Sequence, residues 1–189
     1  MEAPRRLVGR LTLRSILATL FAVIEFVLSE PTSAETSLAA PAGIHPILPV
    51  FSIDRRLLHD LTPALEEAAR KLSDSRCQEI LEDFSDSAGR PLGQNLAATG
   101  QAMPGYLGWV LFYDGGASAP CSDRQIVAWT NPGSRAVHVC GEQFAALARG
   151  RTGDAANILI HEALHTLGLG EGPPDAREIT ARVQSRCGR

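Results

Sequence analysis

Lysine is almost missing from this chain of 189 residues, since Lys71 is the only one. Beyond a basic start at the N-terminus the arginines form no cluster, and the formal net charge is -3. A protein that binds nucleic acid needs a concentrated basic face to neutralise phosphate groups. The composition therefore predicts that nucleic acid is not a partner of this protein.

Aromatic residues are also scarce, at 5 % of the chain, and the one prominent apolar run is short. That run, residues 16–28, contains Glu25 and falls below the roughly 20 residues that a membrane-spanning helix needs. It follows the basic start and precedes the small residues Thr32-Ser33-Ala34, which is the order found in secretory signal peptides. We predict a signal peptide over residues 1–34, with an uncleaved anchor as the alternative. The expected location is secreted or periplasmic, with no stable membrane insertion after cleavage.

Closely spaced cysteine pairs are absent as well, which argues against a cysteine-based zinc site. All four cysteines follow the predicted cleavage site, and an even number in a secreted chain predicts two disulfides. They are Cys77, Cys121, Cys140 and Cys187. Of the three pairings that are possible, we favour one that contains Cys140–Cys187, which would tie the last predicted helix to the last predicted strand.

The pattern of apolar residues predicts an α+β domain over residues 53–189, after an extended Pro-rich leader over residues 35–52. We expect a short, mostly antiparallel sheet packed with helices. Within the first helix, Pro63 could begin a second one with Thr62 as its cap. The helices are predicted over 54–72, 75–84, 141–148, 155–167 and 175–186; the strands over 106–113, 125–130 and 136–140; and a long loop over 85–105.

The feature that carries chemistry is the run His161-Glu162-Ala163-Leu164-His165 in the predicted helix 155–167. Residues four apart lie on one face of a helix, so His161 and His165 can present two imidazoles to one ion. Glu162 can reach a water bound to that ion and act as the catalytic base. The flanking residues are apolar, and burying these polar groups without partners would be costly. A metal ion is the predicted partner.

This HExxH motif, together with the strand before it, resembles the zincin metallopeptidases over residues 136–171. The run that continues through Gly168 is similar to the metzincin pattern HExxHxxGxxH, with Glu171 in place of the final histidine. Metzincins also have a methionine turn after this helix, whereas both methionines of this chain precede it. The resemblance implies a small zincin-like domain that holds Zn²⁺. It also implies that strand 136–139 or its neighbour faces the substrate.

The third metal ligand is open among several groups. The resemblance favours Glu171, because Gly168 would let the chain turn back under the metal and a carboxylate is a normal zinc ligand. Asp175 and Glu178 are alternatives, although their spacing is close to that of a helix capping box. His138 is a further alternative.

The expected function is that of a secreted zinc-dependent metallopeptidase, which hydrolyses peptide bonds of a peptide or protein substrate through a metal-activated water. Tyr106 or Tyr113 could donate a hydrogen bond to the oxyanion, or could pack in the core. Two other functions remain open. One is a zincin-like binding module without activity, and the other is a structural domain held by disulfides without a metal.

Overall fold

A computed structural model of the protein describes residues 53–188. The predicted signal peptide and the Pro-rich leader therefore lie outside the described residues. Within the described part, none of the helices is both long enough and apolar enough to cross a membrane.

The predicted α+β class is confirmed. Helices lie before and after a small sheet, and a short 3-10 helix, Pro120–Ser122, follows the first strand. The helices are α1 (Arg55–Leu72), α2 (Ser75–Gln78), α3 (Ile80–Asp83), α4 (Leu92–Ala98), α5 (Met103–Leu107), α6 (Gly141–Ala148), α7 (Thr152–Thr166) and α8 (Ala176–Cys187). The strands are β1 (Leu111–Asp114), β2 (Ala128–Thr130) and β3 (Ala136–Val139).

The sheet is mixed, so the prediction of a mostly antiparallel sheet was wrong. The strand order is β1-β3-β2. Strand β3 pairs with β1 in parallel and with β2 antiparallel. After β1 the chain passes through the long segment 115–127 and forms β2 at the opposite edge of the sheet from β1. The turn at residues 131–135 then places β3 between the other two strands. Because β3 is paired on both sides, β2 lies at the edge of the sheet, where it contacts α7.

Several predicted boundaries also differ from the structure. The strand predicted over 106–113 begins only at Leu111, because its first residues belong to α5 and to the turn that follows it, and the strand predicted over 125–130 begins at Ala128. Helix α1 continues through Pro63, and the Thr62 hydroxyl donates to the Leu58 carbonyl at 2.8 Å instead of capping a new helix. The predicted helix 75–84 is split into α2 and α3. The predicted loop 85–105 contains α4 and the start of α5, because the buried residues Leu92 and Leu96 pack one turn apart despite the glycine and asparagine between them.

Helix α7 lies at the centre of the domain and contacts α1, α6, α8 and two strands. Its buried positions extend around the helix rather than along a single stripe, as expected for a central helix. The only lysine of the chain, Lys71 of α1, is buried against it. The Lys71 Nζ donates to the Asn157 Oδ1 at 2.8 Å and to the Gly153 carbonyl at 3.3 Å. Burial lowers the pKa of this amine.

Two disulfides are present, as predicted, but the favoured pair Cys140–Cys187 was wrong. The bonds are Cys77–Cys187 and Cys121–Cys140. The first joins the end of α8 to α2, since these helices pack together. The second joins the end of β3 to the loop that follows β1. The order of the strands and the packing of α8 therefore decide the pairing, and neither can be deduced from cysteine spacing.

Removing the Cys77–Cys187 bond should lower the free energy of unfolding by about 4 to 5 kcal/mol, because this crosslink restricts a long stretch of the unfolded chain. Its cysteines are 110 residues apart, compared with 19 for Cys121–Cys140. The matched variant without the shorter crosslink should lose about 3 kcal/mol. Denaturant unfolding of the double Cys→Ala variants measures both values. A larger loss for the shorter crosslink would contradict this account.

Candidate metal centre

The two histidines of the HExxH motif converge on one point. They lie one turn apart on α7, and their ring centroids are 4.8 Å apart. The Nε2 atoms of His161 and His165 are separated by 2.9 Å. Both side chains are buried, with exposed fractions of 6 % and 3 % for the two residues. The two imidazoles that the HExxH spacing predicts to lie on one face of the helix are therefore adjacent in the fold.

Helix α7 ends in a Schellman motif that turns the chain back towards these histidines. The Gly168 N–H donates to the His165 carbonyl at 2.9 Å, and the Leu169 N–H donates to the Leu164 carbonyl at 3.2 Å. Gly168 has a φ of 104°, in the left-handed region that favours glycine. A Cβ at this position would also lie 3.2 Å from the Asp86 Cβ. The glycine thus permits both the reversal and the close approach of the Asp86 loop.

Each histidine is oriented by a hydrogen bond at its Nδ1 atom. The His165 Nδ1–H donates to the Leu169 carbonyl at 2.7 Å, which leaves the Nε2 lone pair of His165 free for an ion. The His161 Nδ1 lies 3.1 Å from the Thr180 hydroxyl on α8. Metal-binding histidines in proteins nearly always have such a partner on the other ring nitrogen.

Glu171 lies next to the two histidines. Its Oε1 atom lies 3.2 Å from the His165 Nε2 and 3.7 Å from the His161 Nε2. One possible ligand atom from each of the three residues lies within 4.8 Å of the others. The Glu171 side chain is half exposed, whereas the imidazoles are buried. Its carboxylate therefore closes the solvent side of the group.

The alternative third ligands lie elsewhere. Asp175 caps α8, and its Oδ1 accepts from the Glu178 N–H at 2.9 Å. His138 is stacked on Trp129 and Tyr113, with ring centroids 4.2 Å and 5.6 Å apart. Neither Asp175, Glu178 nor His138 belongs to a cluster of three possible ligands in the described part of the chain.

Neither tyrosine is placed to serve as an oxyanion donor. Tyr106 is buried, and its hydroxyl lies 3.0 Å from the Thr166 Oγ1. The Thr166 hydroxyl itself donates to the Ala163 carbonyl at 2.7 Å, so Tyr106 is the donor in this pair. Tyr113 is on β1, which lies on the other side of β3 from the edge strand β2.

Glu162 is buried beside the histidines without a full set of partners. Its exposed fraction is 6 %, and its Oε2 has no hydrogen-bond partner within residues 53–188. Burial, together with the negative charge of Glu171, raises the pKa of Glu162 to about 8. A cation next to this carboxyl would favour its ionised form, so the orphaned oxygen fits a site that holds a positive ion.

The state of His161 also fits a metal site. Burial, together with the neighbouring His165, lowers the pKa of His161 to about 3. The imidazole is therefore neutral at physiological pH, which is the form that binds a metal. Two imidazoles and one carboxylate are a common set of protein ligands in catalytic zinc sites, where a fourth position is left for water.

No family model, curated protein or solved structure matches this chain. The chemistry of the site follows from its own geometry. That geometry includes two contacts that the sequence did not predict, the Leu169 carbonyl and the Thr180 hydroxyl. Thr180 has no sequence signal, because it reaches His161 only through the packing of α8 on α7.

The three candidate ligand residues and Glu162 line an open cleft of ≈ 670 Å³. The cleft runs between α7, α8 and the edge strand β2. Its remaining walls carry no charged side chain. They are formed by Gln125, Ile126, Val127, Ala128, Trp129, Thr130, Pro132, Ile158, Ala176 and Thr180. The predicted substrate-facing strand 136–139 is central in the sheet and has no free edge, whereas its neighbour β2 borders the cleft.

Proposed function

We propose that this protein is a secreted zinc-dependent metallopeptidase whose metal ligands are His161, His165 and Glu171. One observation carries the proposal: the two Nε2 atoms and the Glu171 carboxylate converge in the cleft that Glu162 also lines, and the buried Glu162 Oε2 has no hydrogen-bond partner among residues 53–188. Polar groups in a protein interior are nearly always satisfied, so this oxygen points to an ion or water that binds there.

The residues of the site divide the chemistry between them. Bound zinc supplies a lowered pKa for a coordinated water and polarisation of the substrate carbonyl. The imidazoles of His161 and His165 would offer their Nε2 lone pairs to the ion. Glu162 accepts the proton of the attacking water and delivers it to the leaving amine. Its side chain is buried in the wall of the cleft, with an exposed fraction of 6 %.

The edge strand gives a reason for a peptide substrate rather than a small amide. The Cys140 N–H donates to the Val127 carbonyl at 2.9 Å, so residues 127 and 129 direct their backbone groups towards β3. By the alternation of an antiparallel ladder, Ala128 and Thr130 direct theirs away from β3. An extended peptide can pair with these groups as an added strand, and the uncharged walls suit neutral side chains.

Elemental analysis and a peptide library test this function. The wild-type protein should contain about one zinc per chain. It should cleave library peptides, lose this activity with a chelator and regain it with zinc. Zinc binding without any cleavage would contradict the enzyme and support a binding module. Absence of zinc after incubation of the folded protein with the metal would support a structural domain.

Glu171→Gln should weaken zinc binding by more than the roughly 10- to 100-fold that is typical when a hydrogen-bond partner of a ligand is lost, because a direct ligand is replaced. Competition with a metal chelator measures the affinity. Glu178→Gln and Asp175→Asn are matched controls and should retain wild-type affinity, since their side chains lie outside the ligand group. A larger effect for either control would reassign the third ligand.

A further inference from the structure

The two candidate ligand histidines are oriented in different ways. His165 is held by a backbone carbonyl three residues beyond the end of its own helix, so local structure sets its ring. His161 is held by the Thr180 side chain, which belongs to another helix 19 residues further along the chain. The orientation of His161 therefore depends on a tertiary contact.

Helix α8 is tied to the rest of the domain at its C-terminal end and along its buried face, which sets the place of Thr180. At the end of the helix, Cys187 is bonded to Cys77, and Arg186 donates to both carboxylate oxygens of Asp83 at 2.8 Å each. Ile179 and Val183 are buried on the face that packs against the domain. The position of the Thr180 hydroxyl next to His161 is therefore set by these tertiary contacts of α8.

We propose that Thr180 is a positioning residue of the metal centre, which acts by fixing the ring and the tautomer of His161. This proposal rests on the proposed function. A hydroxyl can accept from Nδ1–H or donate to a bare Nδ1. When Thr180 accepts, the His161 Nε2 carries a lone pair and can bind an ion. When Thr180 donates, the proton lies on Nε2 and can bridge to the His165 Nε2, 2.9 Å away.

Threonine therefore suits both the metal-bound and the metal-free arrangement, whereas valine of nearly the same shape suits neither. Without the hydroxyl, the described part of the chain offers the His161 Nδ1 no other hydrogen-bond partner to hold the ring. The expected effect falls on metal affinity more than on folding, because Thr180 is only half buried at the cleft wall.

Thr180→Val should bind zinc about 10- to 100-fold more weakly than wild type in a chelator competition. Thr180→Ser keeps the hydroxyl and should bind close to wild type. Ser185→Ala removes an exposed hydroxyl from the same helix and should leave the affinity unchanged. Thr180→Ala serves as a second variant without a hydroxyl, and circular dichroism of each metal-free variant checks its fold. Wild-type affinity in Thr180→Val, or an equal loss in Thr180→Ser, would overturn the proposal.

Imidazole ¹⁵N NMR of the metal-free protein gives a readout that does not need zinc. Thr180→Val should change the tautomer populations of His161 and leave those of His165 unchanged, since the Leu169 carbonyl still holds the latter. Unchanged His161 signals would contradict the positioning role. Absence of zinc binding by wild type would refute the proposed function instead, and the two failures are distinguished in this way.

Discussion

Replacing both His161 and His165 by alanine should reduce bound zinc from about one per chain to none. These side chains supply two of the three converging candidate ligand atoms, and the remaining candidate, Glu171, is half exposed to competing water. A single carboxylate at a surface binds zinc only weakly, because one carboxylate–zinc interaction does not compensate for the water molecules that the ion loses. Elemental analysis after gel filtration measures the metal content.

The matched control is His59→Ala. His59 is an exposed residue of α1 whose only described contact is with the adjacent Asp60. This variant should keep the full zinc content. Circular dichroism has to show that the double variant is folded, since two buried residues of the central helix are changed. Retention of stoichiometric zinc by the folded double variant would place the metal elsewhere and remove the basis of the proposed function.

Glu162→Gln should lower kcat by about 10²- to 10⁴-fold while zinc content stays near one per chain. The amide has the size of the carboxyl but cannot accept a proton from water. It should be well tolerated structurally, because the Oε2 atom that becomes an amide nitrogen or oxygen has no hydrogen bond to lose in the described part of the chain. Steady-state kinetics on a cleaved library peptide, with metal analysis of the same sample, test both statements.

Glu178→Gln provides the control for this change, since Glu178 is exposed on α8 and lies outside the cleft. Its kcat should equal that of wild type. Full activity in Glu162→Gln would exclude Glu162 as the base. Loss of zinc from Glu162→Gln would instead show that Glu162 holds the ion itself, which is a different site from the one proposed.

The parts of this site that the sequence predicted are those fixed by local geometry. Spacing of four on a helix brings His161 and His165 together in any context. Glu171 is reached through the turn at Gly168, which is also local. These interactions span few residues, so a motif can encode them.

The features that the sequence could not predict depend on contacts between segments that are distant along the chain. Thr180 meets His161 only because α8 returns across α7. The pairing of Cys77 with Cys187 reflects the same return, and the position of β3 at the centre of the sheet reflects the path of the chain after β1. Helix α4 was missed for another reason: its glycine and asparagine favour a loop locally, and burial of Leu92 and Leu96 overrides that preference.

The single lysine makes this protein unusually simple to label. Lys71 is the only side-chain primary amine, and in the folded state it is buried between α1 and α7. An amine-reactive reagent under native conditions therefore finds the only lysine side chain protected. Slow labelling of Lys71 would report the opening of α1 away from α7 at the contact with Asn157, four residues before the first candidate metal ligand, His161.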